Sequence, residues 1–223
     1  MPSAAQKPAR ATAIASRLAT PGVDCQEIAD GVQRRPEGIG QLLECLKSGK
    51  AEVRYGSAKV LRLIGESSPE LLYPHFDLFF GLFEGENTFH RWGSAQILGN
   101  LAAVDREGKL EKVLGRFLAP IRGREMIAAA NAIAAGAKIA AVQPALAGRI
   151  AAAILQVEDA EYKTPECRNV AIGHAIKAFG RFYPLIPDRR AVYDFVARQL
   201  DNPRPATRKK AEAFRKKWER PEA

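Results

Sequence analysis

The sequence has 223 residues, of which 47% are hydrophobic and 26% are charged. This length and composition are typical of a folded chain with a substantial core, which excludes a disulfide-stapled miniprotein and a disordered tail protein and favours one domain. The net charge of +9 comes mostly from the two ends of the chain, so it does not indicate the continuous basic surface of a duplex-binding protein.

The N-terminal region predicts a tail followed by a capping helix. Residues 1–20 are basic and lack the apolar core of about 7–15 residues that a secretory signal needs, so we expect a flexible basic tail there. Residues 24–33 are predicted to form the capping helix of a single domain that covers 21–223. No window approaches about 18 uninterrupted apolar residues, so we expect no transmembrane helix.

The cysteine pattern predicts a reducing compartment. Cys25, Cys45 and Cys167 are odd in number, widely spaced and without a Cys-x-x-Cys pair. We therefore expect free thiols in a cytoplasmic protein, with no metal site.

Two blocks of eight residues match each other closely and lie 37 residues apart. The blocks at 54–61 and 91–98 both have the pattern Arg–aromatic–Gly–Ser–Ala–polar–aliphatic–Leu. Looser copies follow at 127–133, 170–176 and 209–214, which gives a period near 38 residues with one longer step of 43. The polar position of the five blocks is occupied by Lys59, Gln96, Asn131, His174 and Glu212. A repeat of this length indicates an array of supersecondary units.

Each block has the composition of a helix that packs closely against other helices. A small residue precedes the polar position, and a bulky residue follows it by two: Leu61, Leu98, Ile133, Ile176 and Phe214. Amphipathic stretches between the blocks predict a first helix for each repeat, at 39–46, 76–83, 110–118, 146–155 and 192–200. No alternating apolar and polar pattern typical of strands occurs, so the predicted fold class is all-α. The extra residues of the 43-residue step are predicted to lie in the polar stretch 158–164.

These blocks resemble the HEAT and HEAT-like repeat family, over about residues 36–219. The resemblance implies a right-handed α-solenoid, or superhelix, of about five helix pairs plus the N-terminal capping helix. In such stacks the second helices of the pairs usually line a concave surface. Small bacterial HEAT-like proteins are the most similar subgroup, and alkylpurine DNA glycosylases of the HEAT-like type are distantly similar in fold.

The second helices carry the candidate site, which we interpret as a concave groove for a partner protein. Aromatic residues with arginine are the composition favoured at binding hot spots. The predicted groove residues are Arg54, Tyr55, Lys59, Arg91, Trp92, Gln96, Asn131 and His174. The alternative is that Tyr55 and Trp92 pack against each other in the core and that the polar residues only meet solvent.

The basic C-terminal helix, at about 204–219, has two interpretations. Its inward residues, Ala211, Phe214 and Trp218, predict a cap that closes the stack. Its cations could instead contact nucleic acid or an acidic partner, and they are Arg208, Lys209, Lys210, Lys216 and Lys217.

No catalytic residues are predicted. The distant similarity to the glycosylases implies a cleft with tryptophans and an aspartate that stabilises positive charge on the sugar. One turn after Trp92, however, stands Gln96, whose amide carries no charge. We therefore expect a monomeric, non-enzymatic binding or scaffold module without a cofactor, which binds a protein partner and no membrane. The alternative is a nucleic-acid-binding protein, including a relative of the alkylated-base glycosylases.

Overall fold

The computed structural model describes residues 13–218, and every regular element in that range is a helix. The all-α prediction is therefore confirmed. Within this range no helix combines the length and apolarity that a membrane crossing requires. The described residues fall into two compact units, one ending at Val104 and the other beginning at Asp105.

The first unit contains a helical segment over 13–18 and five longer helices. These are α1 (Cys25–Arg34), α2 (Gly38–Cys45), α3 (Ala51–Ser67), α4 (Phe76–Glu84) and α5 (Thr88–Leu101). Asp24 caps α1 by accepting a hydrogen bond from the backbone N–H of Gln26 at 2.8 Å, which confirms the predicted capping helix. Helix α3 packs between α1 and α5, while α2 packs on α3 and α4 packs on α5.

The second unit contains three further helix pairs. Its helices are α6 (Lys109–Leu118), α7 (Met126–Val142), α8 (Ala147–Leu155), α9 (Pro165–Phe182), α10 (Arg189–Arg198) and α11 (Pro205–Lys217). The hydroxyl of Thr164 caps α9, and the carboxylate of Asp188 caps α10. Helix α9 packs between α7 and α11, and α10 packs on α11.

The five repeated blocks all lie in the second helix of a pair, namely α3, α5, α7, α9 and α11. The bulky residue of each block is buried, with at most 5% exposure, whereas none of the five polar residues is buried. Burying a Leu, Ile or Phe side chain stabilises a fold by about 1.5–3 kcal/mol. The repeat pattern therefore identifies core positions correctly in both units.

The serine shared by the two matching blocks has a structural role. Ser57 is fully buried, and its hydroxyl donates a hydrogen bond to the backbone carbonyl of Leu42 at 2.5 Å. This bond joins α3 to the first helix of its pair at a place where water is excluded. Ser94, the equivalent residue in α5, is also buried.

The flexible tail predicted over 1–20 is corrected at its C-terminal end. Residues 13–18 are helical, and Leu18 is only 1% exposed because its side chain packs against α3 at Gly56. Arg17 also pairs with Glu27 of α1 at 3.1 Å. Residues 1–12 lie outside the described residues, so the prediction for them stays a prediction.

The polar stretch 158–164 holds the second unit together instead of forming a simple loop. Tyr162 is 8% exposed, and its hydroxyl donates a hydrogen bond to the carbonyl of Ile121 at 2.5 Å. Burial raises the pKa of this phenol to about 12. Glu158 accepts hydrogen bonds at 2.6 Å from both Arg198 and Gln199. The extra residues of the longer repeat step therefore add hydrogen bonds that connect separate parts of the second unit.

The C-terminal helix ends the second unit as its apolar residues predict. Ala211 and Phe214 are buried, and the rings of Phe214 and Trp218 both pack on Tyr183, at 5.0 and 5.2 Å between centroids. The predicted helix at about 204–219 is observed as Pro205–Lys217. Residues 219–223 lie outside the described residues.

Candidate binding surfaces

The first unit brings Arg54 and Tyr55 together on α3. Arg54 donates a hydrogen bond from Nη1 to the carbonyl of Ser48 at 2.7 Å, which fixes its guanidinium group. The guanidinium carbon then lies 4.9 Å from the centre of the Tyr55 ring. A cation over an aromatic face at this distance is attracted by the ring quadrupole. The positions of both side chains are therefore set before any partner binds.

Tyr55 packs on Phe89, the second residue of α5. Their ring centroids are 4.3 Å apart at an interplanar angle of 53°, and the two residues are 41% and 38% exposed. Sequence reasoning missed Phe89 because the matching block begins two residues later. The available signal was its position seven residues before Gln96, which places it on the same side of the helix.

Trp92 lies half-buried on α5, and the alternative in which it packs on Tyr55 is not observed, since the ring next to Tyr55 is that of Phe89. The indole N–H of Trp92 is enclosed and has no hydrogen-bond acceptor within residues 13–218. An enclosed N–H without an acceptor is costly, because it has lost its bond to water. The side chain of Trp92 is therefore partly enclosed by the fold, and its N–H points away from solvent.

The remaining polar residues of this surface differ in environment. Burial and the nearby Arg54 lower the pKa of His90, so its imidazole takes up a proton less readily than it would in water. Lys59 is exposed, while Arg91 and Gln96 are half-buried on α5. We call the surface formed by Arg54, Tyr55, Phe89 and Trp92 the aromatic face.

In the second unit, the side chain of Asn131 forms a hydrogen bond with the backbone of its own helix. Its side-chain amide donates a hydrogen bond to the carbonyl of Ile127 at 2.9 Å, one turn earlier in α7. Ile127 is 46% exposed. The amide donor is therefore already engaged by the backbone, and the apolar side chain of Ile127 is the more accessible feature at this point.

Helices α9 and α11 bring three basic side chains together, and we call His174, Lys177 and Lys210 the basic face. His174 is half-buried, and burial, Lys210 and Lys177 all lower its pKa, in that order of importance. A methyl group on Gly173 would lie 3.0 Å from the Lys210 ammonium nitrogen. The ammonium group of Lys210 therefore rests directly against α9.

Lys210 is the residue of α11 whose ammonium group reaches Gly173, whereas Glu212, which occupies the polar position of the last repeated block, is exposed. Thr207 is buried and donates its hydroxyl to the carbonyl of Asn169 at 2.8 Å, which fixes the rotation of α11. The buried residues of this terminal helix are Thr207, Ala211 and Phe214, and the last two are the predicted ones.

The other cations of α11 have mixed roles. Arg208 donates to the carbonyls of Asn202 and Pro203, at 2.7 and 3.1 Å, and so fixes the turn before the helix. Lys209, Lys216 and Lys217 are exposed, and the ammonium group of Lys217 lies 4.6 Å from the Trp218 ring centre. No group of three His, Cys, Asp or Glu side chains among the described residues is arranged to hold a metal ion.

Three solved structures share this arrangement of helices at low sequence identity. A designed armadillo repeat protein has a TM-score of 0.51 and 15% identity, over 91% of this chain and 97% of that chain. A second, in complex with peptide (KR)4, has a TM-score of 0.58 and 13% identity, over 92% and 97%. The fold is an armadillo-like helical repeat. An engineered protein, with a TM-score of 0.51 and 14% identity over 92% of this chain and 86% of that chain, agrees with this.

The HEAT- and armadillo-like α-solenoid predicted from the repeated blocks is thereby confirmed as the fold class. No family model matches the sequence, and no curated protein matches it. At 13–15% identity this similarity shows the fold alone. The two surfaces described above are identified from the residues of this chain.

Proposed function

We propose that this protein is a binding module that holds a segment of another protein against the aromatic face of its first unit. The observation that carries the proposal is the exposed Tyr55–Phe89 pair under the fixed guanidinium group of Arg54. Single exposed apolar residues are common on any protein, whereas neighbouring exposed rings that form a patch are typical of binding surfaces. The armadillo-like fold supports the same proposal, since a solved structure with this fold holds a peptide.

The chemistry of the aromatic face suits a peptide chain. Tyr and Trp supply a large contact area at a small cost in side-chain entropy, and they are enriched with Arg at the centres of protein interfaces. The guanidinium group of Arg54, whose Nη1 already donates to the Ser48 carbonyl, keeps the N–H donors of Nη2 for backbone carbonyls or carboxylates of the bound segment. The rings would then bind apolar side chains, and the donors would fix the orientation of the segment.

We propose that the module has no catalytic activity of its own. Gln96 supports this, because it stands one turn after Trp92, where a glycosylase-like mechanism would need a carboxylate. Incubation with alkylated DNA checks this directly. Release of free base by the purified protein, lost in a Trp92→Ala variant, would contradict it.

We also propose that the protein acts as a cytoplasmic monomer. Its three cysteines are free, which suits a reducing compartment. Size-exclusion chromatography with light scattering would measure its mass in solution. A mass of two or more chains would contradict the monomer.

A displayed library of random 16-residue peptides tests the binding proposal without requiring the natural partner. We expect selection on the protein to enrich related sequences, and their capture to fall by about ten-fold or more on Phe89→Ala. Leu78→Ala is the matched control, because Leu78 of α4 is also an exposed large apolar residue, at 39%. Failure to enrich any sequence, or equal capture by the Phe89→Ala protein, would overturn the proposal.

A further inference from the structure

We infer that the basic face of the second unit, His174, Lys177 and Lys210, binds carboxylates of an acidic segment of the partner protein. This inference goes beyond the proposed function, because it assigns a second binding surface and the chemistry of the segment that this surface binds. It concerns different residues in a different unit, so the two can fail separately.

The position of Lys210 is the first support. Its ammonium group lies against the Gly173 backbone of α9, where a side chain larger than hydrogen would displace it. The rotation of α11 is fixed by the Thr207–Asn169 hydrogen bond one turn earlier. Lys210 is thus held half-buried beside His174, whereas a lysine free to move would extend its ammonium group into water.

The charges around Lys210 are the second support. Burial lowers the pKa of Lys210, and repulsion of its ammonium group by Lys177 and Arg204 lowers it further. Within residues 13–218, neither Lys177 nor Lys210 has an ion-pair or hydrogen-bond partner. The nearby carboxylate of Glu166 is already paired with Arg204. Among the described residues, positive charge is therefore concentrated here without a carboxylate that pairs with Lys177 or Lys210.

An anion bound at this face would remove that repulsion. The like charges on α9 and α11 cost free energy in the unbound protein, and a carboxylate between them would convert repulsion into charge-assisted hydrogen bonds. His174 has a lowered pKa, so in its neutral form it can donate one further hydrogen bond to the same carboxylate.

The arrangement favours an acidic peptide over a nucleic acid. The face consists of three basic groups on two adjacent helices, with the half-buried apolar side chain of Val170 one turn before His174. Nucleic acids are usually bound by a longer series of phosphate contacts. A compact basic site beside an apolar residue instead suits one or two acidic side chains of a peptide.

Fluorescence anisotropy with short labelled peptides tests the inference on the full chain. The probe is the octapeptide (Asp-Glu)4, with the isosteric (Asn-Gln)4 and the basic (Lys-Arg)4 as controls. We expect (Asp-Glu)4 to bind at least about ten-fold more tightly than either control. We expect this affinity to fall by about five-fold or more in Lys177→Gln and in Lys210→Gln.

Two variants separate the site from general charge and from misfolding. Lys216→Gln removes the same charge from an exposed position of α11 and should change the affinity by less than about two-fold. Lys210→Arg keeps the charge and should retain binding, which excludes altered packing at Gly173 as the cause of the loss. Thermal melting of each variant confirms that the fold is intact.

Several outcomes would overturn the inference. They are no binding of (Asp-Glu)4, equal weakening by Lys216→Gln, or tighter binding of a single-stranded (dT)8 that is lost in the same lysine variants. Each of these results would leave the proposed function standing, because peptide capture by the aromatic face depends on Tyr55 and Phe89 of the first unit.

Discussion

The two units are built from the same helix-pair repeat but present different chemistry on their second helices. In the first unit, α3 and α5 expose a tyrosine and a phenylalanine beside an arginine. In the second unit, α9 and α11 bring together His174, Lys177 and Lys210. The repeat fixes which residues are buried, whereas the positions facing outward are free to vary. The binding properties of each unit therefore have to be inferred from its own outward-facing residues.

The largest expected effect is at the buried positions that the two units share. Leu61 and Ile133 are fully buried in α3 and α7, so Leu61→Ala and Ile133→Ala should each lower the free energy of unfolding by about 2–5 kcal/mol. Chemical denaturation measures this change. Lys59→Ala, two residues from Leu61 and exposed, is the control and should cost less than about 0.5 kcal/mol. Equal losses at Lys59 and Leu61 would contradict the shared core pattern.

The second effect belongs to the second unit alone and depends on pH. Because the pKa of Tyr162 is raised to about 12 in the fold, the unfolded chain releases this proton near pH 10 while the folded chain keeps it. Stability is therefore fully present below pH 10 and falls by about 2–3 kcal/mol between pH 10 and pH 12.

Tyr162→Phe isolates this contribution from the other groups that titrate at high pH. At pH 7 the variant should be less stable by about 1–2 kcal/mol, because the Ile121 carbonyl loses its buried hydrogen bond. As the pH rises from 10 to 12 this gap should close and then reverse, because the loss of about 2–3 kcal/mol in the native protein exceeds it. Urea denaturation at several pH values measures the two stabilities. A gap that stays constant would show that the phenol does not titrate with unfolding.

A third prediction concerns the contact between α9 and α11. A methyl group on Gly173 would lie 2.9 Å from the Thr207 hydroxyl oxygen, so Gly173→Ala should destabilise the second unit by about 1–2 kcal/mol. Gly180→Ala on the same helix has open space around it and is the control. Thermal unfolding compares the two variants. A Gly173→Ala protein that is more stable than Gly180→Ala would contradict the described contact between α9 and α11.

The smallest effect compares the glycines of the two matching blocks. Gly93 has open space around it, so Gly93→Ala should stabilise by about 0.5–1 kcal/mol through its better helix propensity. At Gly56 a methyl group would lie 2.9 Å from the end of the Leu18 side chain, so Gly56→Ala should gain less. Differential scanning calorimetry resolves the difference, and a larger gain at Gly56 would contradict it.

The sequence was sufficient to predict the repeated helices because packing between helices requires small and bulky residues at regular spacing. It did not reveal that Lys210 contacts α9, because Lys210 lies outside the polar position of the last block, which Glu212 occupies. Tyr162 was missed because its only signal is one aromatic residue in a polar stretch. Its hydrogen bond to Ile121 spans 41 positions, and such contacts are not visible in local composition.

The aromatic face was predicted in part for a similar reason. Arg54, Tyr55 and Trp92 stand out because they repeat, whereas Phe89 lies outside the repeat and becomes recognisable only when α5 is placed beside α3. The basic face could be expected from the charges of α11, but its relation to His174 depends on how α11 is rotated.

The central claim is that the aromatic face binds a partner and is not part of the core, and Tyr55→Ala tests it most directly. Isothermal titration with a peptide selected on the native protein should show an affinity loss of about 30-fold or more. Chemical denaturation of the same variant should show a stability loss below about 1 kcal/mol, because Tyr55 is 41% exposed. An unchanged affinity together with a stability loss of about 3–5 kcal/mol would contradict the claim and assign Tyr55 to the core.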